Sequence, residues 1–148
     1  MTLNTGLRKS EIFNLKWKDI RLTTKQLIVY SGKGDKDRVV VLNDAAINIL
    51  MKRRKNNPIG NIRVFDEIKS MRIIDIAWGK IRIATKIKAR FHDLRSTYAS
   101  YSAMNGMNPF ILMKQLGHSS LEMVLKYTEI SEEERIRSAN IVQFPAVI

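Results

Sequence analysis

Apolar side chains recur along this chain at helical and strand-like spacings in turn. Between residues 10 and 20, Ile12, Phe13, Leu15 and Trp17 stand among Lys and Glu, which predicts one short amphipathic helix with Gly6 before it as a turn. Residues 26–30 and 38–42 are rich in β-formers, and the basic, glycine-containing stretch 31–37 between them predicts a hairpin. Asn43-Asp44 offers an N-cap for a helix to about Arg54, ended by Asn56-Asn57-Pro58-Ile59-Gly60. Ile62 to Phe65 is a candidate third strand.

Helices are expected at about 70–83 and 92–104, the second closed by Asn105-Gly106. Pro109 suits the first turn of a helix carrying Phe110, Ile111, Met113 and Leu116, and Gly117 stops it. Residues 121–127 predict another short helix, and Ser131-Glu132-Glu133-Glu134 opens a last one that frays before Phe144-Pro145. Trp17, Trp78, Phe91 and Leu94 read as core or core edge. Without repeat, low-complexity tract or linker, the pattern predicts one domain over 1–148, of α+β class, mostly α-helical with a small three-stranded antiparallel sheet.

Composition narrows the classes. The chain has 148 residues, enough for a real core, and 45% hydrophobic with 27% charged residues describes a globular domain rather than a disordered one. With no Cys and two His there is neither a disulfide scaffold nor a thiolate nucleophile, and no conventional structural zinc site. The apolar runs fall short of a membrane span and no signal-like segment opens the chain, so the expected location is the cytoplasm. Lys and Arg total 26 against 14 acidic residues, a net charge of +12. Such a surplus points to a polyanion, nucleic acid first; a ribosome-like role, an acidic membrane surface or a basic surface without partner are the alternatives.

A few polar residues stand where chemistry is possible. His92 and Arg95, three apart on a predicted helix, share a face and can reach one anion, although an isolated pair of this kind is ordinarily surface decoration. His118 follows Gly117 at a helix end, and Tyr127 lies nine residues on; a C-cap and half-buried packing explain them equally well one by one. A phenol titrating near about 10 needs cations or a base to attack at neutral pH. Arg8 sits at a glycine turn opening a helix, and Lys33 lies between Gly32 and Gly34 at a hairpin tip. Gly32-Lys33-Gly34 lacks the Walker spacing, and no tight Asp/Glu/His cluster suggests two-metal chemistry. Any phosphate would have to be neutralised by side-chain cations.

Taken in order, Thr5-Gly6-Leu7-Arg8-Lys9-Ser10-Glu11-Ile12, Gly32-Lys33-Gly34-Asp35-Lys36-Asp37-Arg38, His92-Asp93-Leu94-Arg95 and Leu116-Gly117-His118-Ser119-Ser120, followed by Tyr127, strongly resemble the catalytic domain of tyrosine recombinases, the phage integrase family. The key positions are separated by 25, 59, 3, 23 and 9 residues. The resemblance implies a cofactor-free transesterification on double-stranded DNA, of the kind used by phages and other mobile elements. Tyr127 matches the nucleophile that forms a 3'-phosphotyrosyl link and releases a 5'-hydroxyl. Arg8 and Arg95 match the arginines on the non-bridging oxygens, Lys33 the donor to the leaving oxygen, His92 a residue of proton transfer and phosphate contact, and His118 a hydrogen-bond donor to the phosphate. Glu11 resembles an acidic position that orients the first arginine.

Lys36, Arg38, Lys86, Lys88 and Arg90 are expected to contact the DNA backbone, and Leu112, Met113 and Leu116 to form the apolar face under His118. Only seven residues precede Arg8, so the chain is expected to be an N-terminally truncated catalytic domain. Residues 129–148 are expected as a tail that packs in trans on a neighbour in a full-length tetramer on two DNA sites, or in isolation folds back in cis or stays disordered, the fragment itself being a monomer. A binding-only integrase derivative and a type IB topoisomerase-like enzyme are the alternatives.

Overall fold

A computed structural model describes residues 1–30, 37–55 and 62–128. Short helices α1 (Thr2–Thr5) and α2 (Lys9–Asn14) lead through a 3₁₀ turn at Trp17–Asp19 to strands β1 (Ile20–Arg21), β2 (Gln26–Val29) and β3 (Arg38–Val41). Then come α3 (Asp44–Lys55), α4 (Met71–Thr85), α5 (Asp93–Met104), α6 (Pro109–Leu116) and α7 (Glu122–Leu125). No helix among the described residues is long and apolar enough to cross a membrane.

The antiparallel sheet has three strands in the order β1-β2-β3, with Leu27 opposite Val40 and Val29 opposite Arg38. Its third strand is not the expected one. The helix predicted over 10–20 stops at Asn14, because Leu15 turns extended and is captured by a later segment: Val64 N–H donates to the Leu15 carbonyl at 2.9 Å and Trp17 N–H to Ile62 at 3.0 Å. Residues 62–65 therefore supply a single bridge, Lys16 with Arg63, and the chain after Trp17 supplies β1. The helix predicted from Ser131 and the tail 129–148 lie outside the described residues.

Capping follows the local sequence. Asn43 accepts the Ala46 N–H at 2.8 Å, Asn108 accepts the Phe110 N–H at 2.9 Å, and Gly117 ends α6 in the left-handed region. One core cluster joins the sheet to α2 and α3 through Leu7, Ile12, Leu27, Val40 and Leu50. A second joins α5, α6 and α7 through Ala99, Leu112, Leu116 and Val124. Burying the Leu, Ile and Val side chains among these contributes about 1.5–3 kcal/mol each. The two clusters meet where α1 packs on α5 and α6 packs on β3, and the polar residues of interest gather at that seam.

Candidate active site

Arg95 is the third residue of α5, whose first turn is fixed by the Asp93 carboxylate accepting the Arg90 N–H at 2.8 Å. The Arg95 side chain runs into the seam and is 4% exposed. Its Nη1 donates to the Gly6 carbonyl and its Nη2 to the Leu116 carbonyl, both at 2.6 Å. These oxygens sit at helix ends, where carbonyls lack intrahelical donors. One guanidinium thus anchors the turn before Arg8 and the turn before His118. Burial, followed by the charge of Arg8, presses its pKa down to about 10, so it stays protonated at neutral pH.

Arg8 is the N-cap of α2. Its N–H donates to Glu11 Oε2 at 2.7 Å and its Nη1 to Oε1 at 3.0 Å. Burial works to raise the Glu11 carboxyl, but hydrogen bonds from Arg38 and from the Arg8 backbone outweigh it and hold the group below its ordinary range.

His118 is presented by the left-handed Gly117, and its backbone N–H returns to the Met113 carbonyl at 3.1 Å. Its buried Nδ1 has no hydrogen-bond partner among the described residues. Desolvation, then the charges of Arg95, Arg8, Lys126 and Arg38, lower its pKa to about 4, so the imidazole is neutral at pH 7. Tyr127 closes the turn after α7, its N–H donating to Val124 at 2.9 Å and its ring packing on the second core cluster. The ammonium of Lys126 stands 5.4 Å from the ring centroid.

His92, exposed at the N-cap of α5, shares with Arg95, Ser96, His118, Lys126 and Tyr127 the wall of a cavity of about 100 Å³. An adjoining pocket of about 290 Å³ shares His92 and Arg95 and adds Arg8 and Lys9. A larger cleft, about 910 Å³ beside Lys16, Lys18 and Tyr30, lacks Arg95, both histidines and Tyr127; chemistry rather than size selects the smaller one. No carboxylate lines the small cavity among the described residues, and no three of them could together hold a metal ion. Cations, a neutral imidazole and a phenol around a small space suit an anion under nucleophilic attack.

Five of the six expected catalytic positions, Arg8, His92, Arg95, His118 and Tyr127, are brought together; Lys33 lies outside the described residues, as does Lys36. Lys86, Lys88 and Arg90 are exposed on the connection from α4 to α5, which is pinned where Trp78 Nε1 donates to Ala89 at 3.0 Å and its ring meets Phe91 edge-on. Arg38 differs from expectation. Its side chain is 7% exposed and its guanidinium is committed to Glu11 and the Gln115 carbonyl, because β3 starts beneath α6, so it is not on the open basic surface.

Sequence reasoning passed over two residues. Gln115 pairs with both the N–H and the carbonyl of Val41, extending the edge of β3; a polar residue on the face of Leu112 and Leu116 was the available signal. Lys126 adds charge beside Tyr127, and nothing in its local pattern sets it apart from other surface lysines.

The chain matches the phage integrase family over residues 1–134. It is 29% identical to the tyrosine recombinase XerA of Pyrococcus furiosus, over 94% of this chain and 52% of that protein. It is 31% identical to the integrase of Salmonella phage P22, over 87% of this chain and 37% of that protein. A crystal structure of XerA recombinase superposes with a TM-score of 0.72 at 25% identity, covering 97% of this chain and 57% of the other. The chain spans about half the length of these relatives or less. The mostly helical fold with a small antiparallel sheet is the tyrosine recombinase catalytic fold.

Proposed function

The chain belongs to the phage integrase family, and from that premise we propose that it is the catalytic part of a site-specific recombinase that breaks and rejoins DNA strands. The Tyr127 oxygen attacks the scissile phosphorus and loses its proton, while the bond from phosphorus to the 5' oxygen breaks and that oxygen leaves as a hydroxyl. The 3'-phosphotyrosyl link keeps the diester, so the reverse attack by a 5'-hydroxyl reseals a strand without nucleotide hydrolysis.

The observation that carries this reading is the convergence of Arg95, His118 and Tyr127 on one cavity lined by no carboxylate among the described residues, with Arg8 alongside. Arg8 and Arg95 meet the non-bridging oxygens, where preorganised donors favour the more charged transition state over the ground state. His118 donates one hydrogen bond as a neutral imidazole, and His92, at the rim, contacts phosphate and moves a proton. Lys33 serves the leaving oxygen. The partner is duplex DNA, held through a surplus of 12 positive charges that includes exposed Lys86, Lys88 and Arg90. The complete enzyme works in the cytoplasm as a tetramer on two sites.

The test is a suicide-substrate assay. Nicked duplexes tiled across the flanks of the gene are incubated with the chain in EDTA without nucleotide, and adducts are sought on denaturing gels and mapped by mass spectrometry. An adduct at Tyr127, absent from Tyr127→Phe at similar DNA affinity, is the expected result. Equal adduct from both proteins overturns the assignment.

A further inference from the structure

Arg38 is the most heavily committed cation at the seam. Its Nη1 and Nη2 donate to the two oxygens of Glu11 at 2.9 and 2.8 Å, and its Nε donates to the Gln115 carbonyl at 3.1 Å. The same two Glu11 oxygens face Arg8, one accepting its N–H and the other its Nη1. Arg38 thus takes the fork-to-fork position, leaving Arg8 a single side-chain bond to the carboxylate. It also lies under the turn that presents His118: a Cβ on Gly117 would stand 2.7 Å from Arg38 Cδ.

Resting on the strand-transfer reading above, we propose that Arg38 is a positioning residue that occupies Glu11 so that Arg8 keeps most of its N–H donors for phosphate, and that ties this arrangement to the His118 turn. A carboxylate with two arginines in reach forms its bidentate pair with only one of them. With Arg38 present, that partner is Arg38, and Arg8 is oriented without being consumed. With Arg38 removed, Glu11 closes bidentately on Arg8 and draws it off the phosphate.

The test compares wild type, Arg38→Met and the double variant Arg38→Met/Glu11→Gln on nicked duplexes tiled across the flanks of the gene. Arg38→Met is expected to slow adduct formation about 100-fold, the scale of one lost oxyanion donor, at little changed duplex affinity. Adding Glu11→Gln, which removes the competing charge, is expected to recover most of that loss. A residue with a merely structural role predicts the opposite, a double variant worse than the single one, and that result overturns the proposal, as does Arg38→Met cleaving like wild type. Should Arg38→Met fail to fold, Arg38→Lys, which keeps the charge without the fork, takes its place with and without Glu11→Gln. If wild type itself forms no adduct, crystal structures of wild type and Arg38→Met decide on Arg38 independently of strand transfer: a new bidentate Arg8–Glu11 pair supports its role, and an unmoved Arg8 overturns it.

Discussion

Arg95 donates to the carbonyl of Gly6 across 89 residues of sequence, at 2.6 Å and almost wholly out of solvent. Its other terminal nitrogen reaches Leu116, so the guanidinium proposed to meet phosphate also fixes the backbone leading to Arg8 and to His118. A lysine keeps the charge but is a point donor on a flexible stem and cannot span two carbonyls as a planar fork does. Arg95→Lys is therefore expected to lower stability by about 2–4 kcal/mol, through buried carbonyls left without donors, and to slow adduct formation by about 100-fold or more. Urea unfolding and single-turnover cleavage measure the two; a variant of wild-type stability would show that the bridge carries no weight.

Gly6 offers its carbonyl to Arg95 from a place that leaves no room for a side chain. Its φ is +69°, and a Cβ would fall 2.6 Å from Leu116 Cδ2 and 2.7 Å from Tyr98 Cδ1. Gly6→Ala is expected to cost about 2–4 kcal/mol, combining left-handed strain with overpacking. Gly106, with φ +77° and nothing within 4 Å of a Cβ, separates the two effects. Gly106→Ala should show the backbone cost alone, about 1–2 kcal/mol, and equal losses in the two variants would remove the argument from close packing.

Much of this was legible in the chain itself, for identifiable reasons. Helices with strong end signals, such as α6 between Asn108-Pro109 and Gly117, fall within a residue or two of expectation, because caps and breakers act locally. The order of Arg8, His92, Arg95, His118 and Tyr127 along the chain marks the candidate site, and the structure brings these residues around two neighbouring pockets. What escaped depends on long-range partners. Nothing near Trp17 announces that residues 62–64 will pull the chain out of a helix, and nothing near Arg38 announces Glu11, 27 residues away, as the destination of its guanidinium. A basic residue beside a glycine-rich hairpin reads as surface until tertiary packing buries it.

Gln115 seals the edge of β3 through its side chain, accepting the Val41 N–H at 3.0 Å and donating to the Val41 carbonyl at 2.8 Å. Gln115→Leu keeps the volume and strips both partners. Expected are a loss of about 1–3 kcal/mol and amide exchange at Val41 about tenfold or more faster than in wild type, since that scale of local opening energy sets the exchange rate. Because α6 carries the His118 turn, adduct formation should slow as well. Unchanged exchange at Val41 would mean that water replaces the glutamine without cost.

His118 gives the protein a pH dependence whose sign follows from its surroundings. Its folded pKa is about 4 against an ordinary 6.5, lowered by burial and then by the surrounding cations. Between those values the unfolded chain binds a proton that the folded protein refuses, so stability rises with pH across the window, is complete above about 6.5, and falls away as pH drops toward 4. His118→Gln removes this contribution, so its unfolding midpoint should vary less than that of wild type between pH 7 and pH 4.5; parallel curves would refute it. Glu11 is distinguishable, because a depressed carboxyl loses its contribution only as pH falls through its folded value, below the ordinary carboxylate range. A bound phosphodiester brings opposite charge to the imidazole and favours its protonated form. In the DNA complex, the His118 ring resonances followed by NMR should therefore titrate at higher pH than in the free protein, and a titration unmoved by duplex would place the phosphate away from His118.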